Sequence, residues 1–250
     1  MKAFRQKENL IGFGGLMNNI SLVLKAISGI IDFKNLPRDQ RQITFYSEGK
    51  NYWPHLEGLL NAVLEQTSFF VSYISSSVDD PGLKVSHSCL KTFFIGFGFM
   101  RDYLFETLDT NIMIMTMPDL HQYQLKRSNH DVHYIYVQHS LVSLHMIYRH
   151  GAFDHYDTIC CAGPHHVQEV LAIEKKYNLP PKNIIELGYS RLDSLIKESK
   201  CFPTTNNHNE THKFQNVLIA PSWGPEGLIE SGLVNRLIED LFKFDYDVVL

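Results

Sequence analysis

Short apolar runs recur along the chain, with amphipathic segments between them. The runs are QITFYS (42–47), SFFVSYI (68–74), KTFFIGF (91–97), NIMIMTM (111–117), VHYIYVQ (132–138), YDTICCAG (156–163) and NIIELGY (183–189). Each is rich in β-branched or aromatic residues and has the length of a strand. Helical spacing appears at Trp53–Gln66, Met100–Leu108, Pro164–Tyr177 and Arg191–Glu198. Pro164 stands where a first helical turn tolerates a missing N–H. Strands and helices that alternate in this way predict an α/β fold, a mainly parallel Rossmann-like sheet with helices on both faces. Upstream, Ile20, Val23, Leu24, Ile27 and Ile31 share one helical stripe, which predicts a further helix that could lie on a membrane or pack against the domain, the packed arrangement being favoured because a cationic polar face is missing. Asn18, Asn19, Lys25 and Asp32 interrupt that segment too often for it to cross a bilayer.

After Lys200 the pattern gives way to CFPTTNNHNETHK, a polar stretch of turn-forming residues that reads as a linker, with a boundary near residue 212. Residues 1–212 then form the Rossmann-like domain with its N-terminal helical segment. Residues 213–250 restart the pattern: the strand QNVLIAPSW, a helix over Leu228–Phe242 and the strand DYDVVL. Two parallel strands and one helix cannot cover their own apolar faces, so this second α/β unit is expected to be the truncated beginning of a larger domain.

A net charge of -4 and the lack of any long Lys/Arg stripe argue against nucleic-acid binding by phosphate neutralisation. Lys175 and Lys176 read as a solvated helix face. The four cysteines show no CxxC spacing, and Cys160 and Cys161 lie inside an apolar run, which fits a reducing cytoplasm rather than a zinc knuckle or disulfide framework. The N-terminus lacks the order of a signal peptide.

Thirteen histidines raise the question of metal binding. His133, His139, His145, His150 and His155 never fall at i, i+4, and His133 and His139 would lie roughly 20 Å apart along a strand, so they cannot share an ion. His165 and His166 open a helix and read as its solvated first turn. GFGFMR (96–101) is a partial GxGxxG and reads as a tight strand-to-helix turn. VDDPG (78–82) has the chemistry of a turn. Neither GxSxG nor HExxH is present.

His139 differs from the others, because it ends a core strand, and ligands of open parallel sheets bind outside the carboxyl ends of the strands. ELGYSRLDSL (186–195) adds a strand, a glycine and Ser190 as the expected N-cap of a helix that carries Arg191. Exposed helix amides beside a guanidinium suit an anion. LIAPSWG (218–224) is a further strand end that could wall an interdomain cleft.

In order and relative position, YVQHSLVS, YDTICCAGPHH, IIELGYSRLDSL and VLIAPSWG resemble the CDP-glycerol glycerophosphotransferase family, over about Tyr134 to Gly224. The resemblance implies two Rossmann-like domains of GT-B type facing each other across a cleft. It implies His139 as general base, and Ser140, Arg191 and Ser222 as phosphate or donor contacts, with neither metal nor cofactor. The implied donor is CDP-glycerol or a similar CDP-polyol. The implied acceptor is a lipid-linked or polymeric hydroxyl in teichoic-acid-like or capsule biosynthesis, met by a cytoplasmic protein peripheral to the inner membrane face. Ser140 replaces the family's glycine, Ser190 its proline and Gly224 its arginine, departures that bear on the donor more than on the fold. The family's second histidine and most nucleotide contacts would lie past Leu250, so residues 1–250 alone are expected to be inactive. The alternatives are a GT-B nucleotide-sugar glycosyltransferase, a nucleotide-sugar epimerase of similar architecture, and a non-catalytic acceptor-binding module.

Overall fold

The computed structural model describes residues 13–123, 125–201, 216–221, 224, 226–244 and 246–250. It divides into two compact units, one ending at Cys201 and the other beginning at Phe202. The boundary expected near residue 212 lies outside the described residues.

The first unit is an α/β fold built on seven parallel strands: β1 Ile43–Ser47, β2 Val71–Ser75, β3 Leu90–Phe94, β4 Ile112–Met115, β5 His133–Val137, β6 Thr158–Cys161 and β7 Asn183–Glu186. Their spatial order is β3-β2-β1-β4-β5-β6-β7, all pairs parallel, the Rossmann-like order extended by one strand. Five helices accompany them: α1 Phe13–Lys34, α2 Trp53–Gln66, α3 Phe99–Glu106, α4 Pro164–Tyr177 and α5 Ser190–Cys201.

Successive strand residues point to opposite faces, and the two cores follow this alternation. Tyr46, Ile74, Met113, Met115, Tyr136, Ile159 and Cys161 join Ile30 and Phe33 of α1, Leu104 and Phe105 of α3 and Val170 of α4 in one core. Their neighbours Phe45, Tyr73, Ile114, Val137 and Cys160 meet Leu56, Leu60 and Leu64 of α2 in the other. The sheet is therefore apolar on both faces, which is why its strands read as continuous apolar runs. Burial raises the thiols of Cys160 to about 12 and Cys161 to about 11, so both act as small core residues and not as nucleophiles.

Two expectations are overturned here. The aliphatic stripe of α1 faces solvent: Ile20, Val23, Leu24, Ile27 and Ile31 are exposed, while Ala26, Ile30 and Phe33 are buried. The reason is steric. A Cβ on Gly29 would lie 2.1 Å from the carbonyl oxygen of Phe94, so α1 rests directly on the end of β3 through its small residues. His166 is fully buried, not solvated. Its Nδ1 accepts from the Ala162 amide at 3.3 Å and its Nε2 donates to the Val142 carbonyl at 3.0 Å, which ties α4 to the segment after β5.

The 96–101 tract is the turn into α3, with Gly96 and Gly98 at φ 71 and 72. The VDDPG tract is a 3-10 turn, Pro81–Lys84, begun by a fully buried Asp80. That carboxylate accepts from Tyr73 Oη at 3.1 Å, Ser75 Oγ at 2.7 Å and the Gly82 amide at 2.9 Å.

The second unit holds β8 Asn216–Leu218, α6 Leu233–Phe242 and β9 Asp247–Val249, with β8 and β9 paired in parallel. Its helix starts at Leu233 and not at Leu228, because Gly232 sits at φ 75 in the left-handed region and breaks the preceding turns from the helix. No helix among the described residues is long and apolar enough to cross a membrane.

Candidate active site

In open parallel sheets the crevice forms where the strand order reverses, outside the carboxyl ends of the strands. Here that point lies between β1 and β4, with β5 next in line. The tips carry Glu48 after β1, Thr116 after β4, and Gln138 and His139 after β5. α2 opens near this edge with Tyr52 and His55, and the turn from β7 into α5 brings Tyr189, Ser190 and Arg191.

His139 is half-buried. Tyr136 Oη lies 3.1 Å from its Nδ1 and Tyr148 Oη lies 3.4 Å from its Nε2. The rings of Tyr52 and His55 stand edge-on to it, with centroids at 5.8 and 6.2 Å. Burial lowers the pKa of His139, opposed by the Thr116 carbonyl, so the ring is neutral at neutral pH. The phenols of Tyr52, Tyr136, Tyr148 and Tyr189 are all raised, chiefly by burial, and stay protonated.

His55 is held from behind. Its Nδ1 lies 3.2 Å from Tyr189 Oη, and that hydroxyl donates to the backbone carbonyl of His139 at 3.2 Å. Burial, then the proximity of His139 and of Arg191, depresses His55 to about 4. His139 faces this ring with centroids 6.2 Å apart, and Arg191 follows Ser190, whose hydroxyl bonds the His55 carbonyl. Gly188, at φ 83, turns the chain between β7 and α5. Gly58 lets α5 approach α2: a Cβ there would come within 2.8 Å of Ser190 Cβ.

Ser190 is the first residue of α5, and its hydroxyl donates to the His55 carbonyl at 3.2 Å. The expected N-cap is thus a bolt between α2 and α5, because the close approach at Gly58 puts a carbonyl within its reach. Arg191 is paired with Glu198 at 3.6 Å across a partly exposed surface, a contact worth roughly 0–1 kcal/mol that an anion can replace. Ser140 Oγ accepts from the Val142 amide at 3.4 Å and shapes the turn after His139. Ser222 lies outside the described residues.

Around this centre are groups that the motifs did not signal. Glu48 is half-buried, and burial raises its pKa against the pull of Arg101 and the Tyr52 hydroxyl. Thr116 Oγ1 and both amide atoms of Gln138 are buried without a protein hydrogen-bond partner among the described residues, a cost of about 1–3 kcal/mol per group unless water meets them. The one sequence signal for His55 was its position in NYWPH, just after the first strand. Among the described residues, no three His, Cys, Asp or Glu side chains are grouped to hold a metal ion.

No protein-family model matches the chain. Comparison with curated proteins likewise finds no match.

Proposed function

We propose that the protein transfers glycerol phosphate, or a related polyol phosphate, from a CDP-activated donor to a hydroxyl acceptor in cell-surface polymer synthesis. The observation that carries this reading is His139, a neutral imidazole at the carboxyl edge of the sheet beside its switch point. In the tautomer whose Nδ1 donates to Tyr136, Nε2 is the basic nitrogen. The 3.4 Å contact from Tyr148 is long enough for a substrate hydroxyl to replace it.

The acceptor hydroxyl gives its proton to Nε2 as its oxygen attacks the phosphorus that bears the polyol. The bond from that phosphorus to the CMP oxygen breaks, and the electron pair leaves with CMP. Arg191 and the first amides of α5 offset the phosphate charge, with Ser140 as a further phosphate contact. A lipid-linked acceptor would be met at a membrane surface, and the solvent-facing aliphatics of α1 are the contact the first unit offers there.

The test offers CDP-glycerol, CDP-ribitol and UDP-sugars to the protein and follows the released nucleotide. CMP release that disappears in His139→Ala supports the proposal. Release of UDP marks a nucleotide-sugar glycosyltransferase, and acceptor binding without turnover marks a binding module; either result overturns it.

A further inference from the structure

His139 shares both ring nitrogens with tyrosines, whereas His55 commits only one. Tyr189 has a single hydroxyl proton, and the carbonyl of His139 can only accept it. In the remaining contact, between Tyr189 Oη and His55 Nδ1, the ring must therefore donate. This fixes the Nδ1–H tautomer and leaves Nε2 as an acceptor with no protein partner among the described residues. An imidazole gripped by one nitrogen and presenting the other is the arrangement by which histidines are oriented towards a reacting or bound group. The joint that grips it is rigid, because Ser190 ties α5 to the His55 carbonyl and Gly58 admits the close approach.

We propose that His55 is a second substrate contact of this site: its Nε2 accepts a hydrogen bond from one hydroxyl of a polyol whose neighbouring hydroxyl faces His139. The proposal rests on the transferase reading and narrows it, since two acceptors on rings 6.2 Å apart select a diol end over a simple alcohol. An alcohol lacking the second hydroxyl would leave a partly buried acceptor unpaired, which is how a polar site rejects a deoxy analogue.

The test uses the 250-residue chain with 15N-labelled histidine, and glycerol 3-phosphate and 3-hydroxypropyl phosphate as probes. The free protein is expected to show the Nδ1–H tautomer at His55, and glycerol 3-phosphate to shift its Nε2 resonance. His55→Asn keeps an amide where Nδ1 stood, and with it the link to Tyr189, but deletes Nε2. It is expected to weaken glycerol 3-phosphate by about tenfold or more, as the loss of one good hydrogen bond does. His55→Gln, which returns an acceptor near the Nε2 position, is expected to stay within about threefold of the parent. The deoxy probe should bind the parent and His55→Asn alike. Wild-type affinity in His55→Asn, or an Nε2 resonance unmoved at saturation, overturns the contact and leaves the transferase reading standing. Failure of glycerol 3-phosphate to bind the parent overturns both. Tyr189→Phe is an independent arm that leaves the imidazole in place: mixed tautomers at His55 are expected, and an unchanged spectrum refutes the assignment.

Discussion

Replacing His55 by Asn should make the stability of the chain less sensitive to acid. An ordinary histidine titrates near 6.5, while His55 in the folded state is held at about 4 by burial and by its neighbours His139 and Arg191. The unfolded chain therefore takes up its proton first. Above about pH 6.5 both states are neutral and the group is silent; as pH falls from there through about 4, it costs stability steadily. The full gap corresponds to about 3 kcal/mol, which solvent screening of a half-exposed ring reduces to about 1–2 kcal/mol. Urea unfolding followed by near-UV dichroism, from about pH 7 to about pH 4.5, measures the difference between parent and variant across that window. His155 and His166, whose pKa values are also lowered chiefly by burial, are present in both proteins and cancel in the comparison, whereas His139 is coupled to His55, so that its relief in the variant adds to the difference in the same direction. The variant's curve should be shallower by about 1–2 kcal/mol. Parallel curves would mean that His55 titrates like a solvated ring and that the packing drawn around it is wrong.

Three further substitutions probe the frame. Gly58→Ala gains about 1 kcal/mol of helix propensity but forces α2 and α5 apart at a cost of about 1–3 kcal/mol, so a lower urea midpoint and a lost His55–Tyr189 hydrogen bond by NMR are expected. Asp80→Asn puts an amide where a buried carboxylate accepts from Tyr73, Ser75 and Gly82, and should cost about 2–3 kcal/mol in chemical denaturation. Val23→Gln with Ile27→Gln should change stability by no more than about 0.5 kcal/mol, since both side chains are exposed; a loss of about 2 kcal/mol would restore the packed stripe.

The sheet was legible because both of its faces are apolar: Phe45 and Tyr46, or Ile159 and Cys160, feed opposite cores from adjacent positions, and the runs that result are hard to miss. The inward face of α1 was not legible. Periodicity favours the large aliphatics at 20, 23, 24, 27 and 31, whereas backbone contact at Phe94 selects Ala26 and Gly29. His139 could be singled out from its place at the end of a strand. His55 and Tyr189 could not be paired from the sequence, because they are 134 positions apart and meet only through the packing of α2 against α5. His166 was misjudged for the same kind of reason, since a helix's first turn is solvated only if no loop crosses it, and the segment around Val142 does.

The bolt from Ser190 to the His55 carbonyl also sets a schedule. Synthesis delivers His55 early and Ser190 some 135 residues later, and no local contact stands in for the missing partner. While the chain is still emerging from the ribosome, the side of α2 that meets α5 has nothing to close against, and the carboxyl edge lies open to any passing apolar surface. A nascent chain stalled before α5 would on this ground be a ready client for chaperones, and one stalled after it would not.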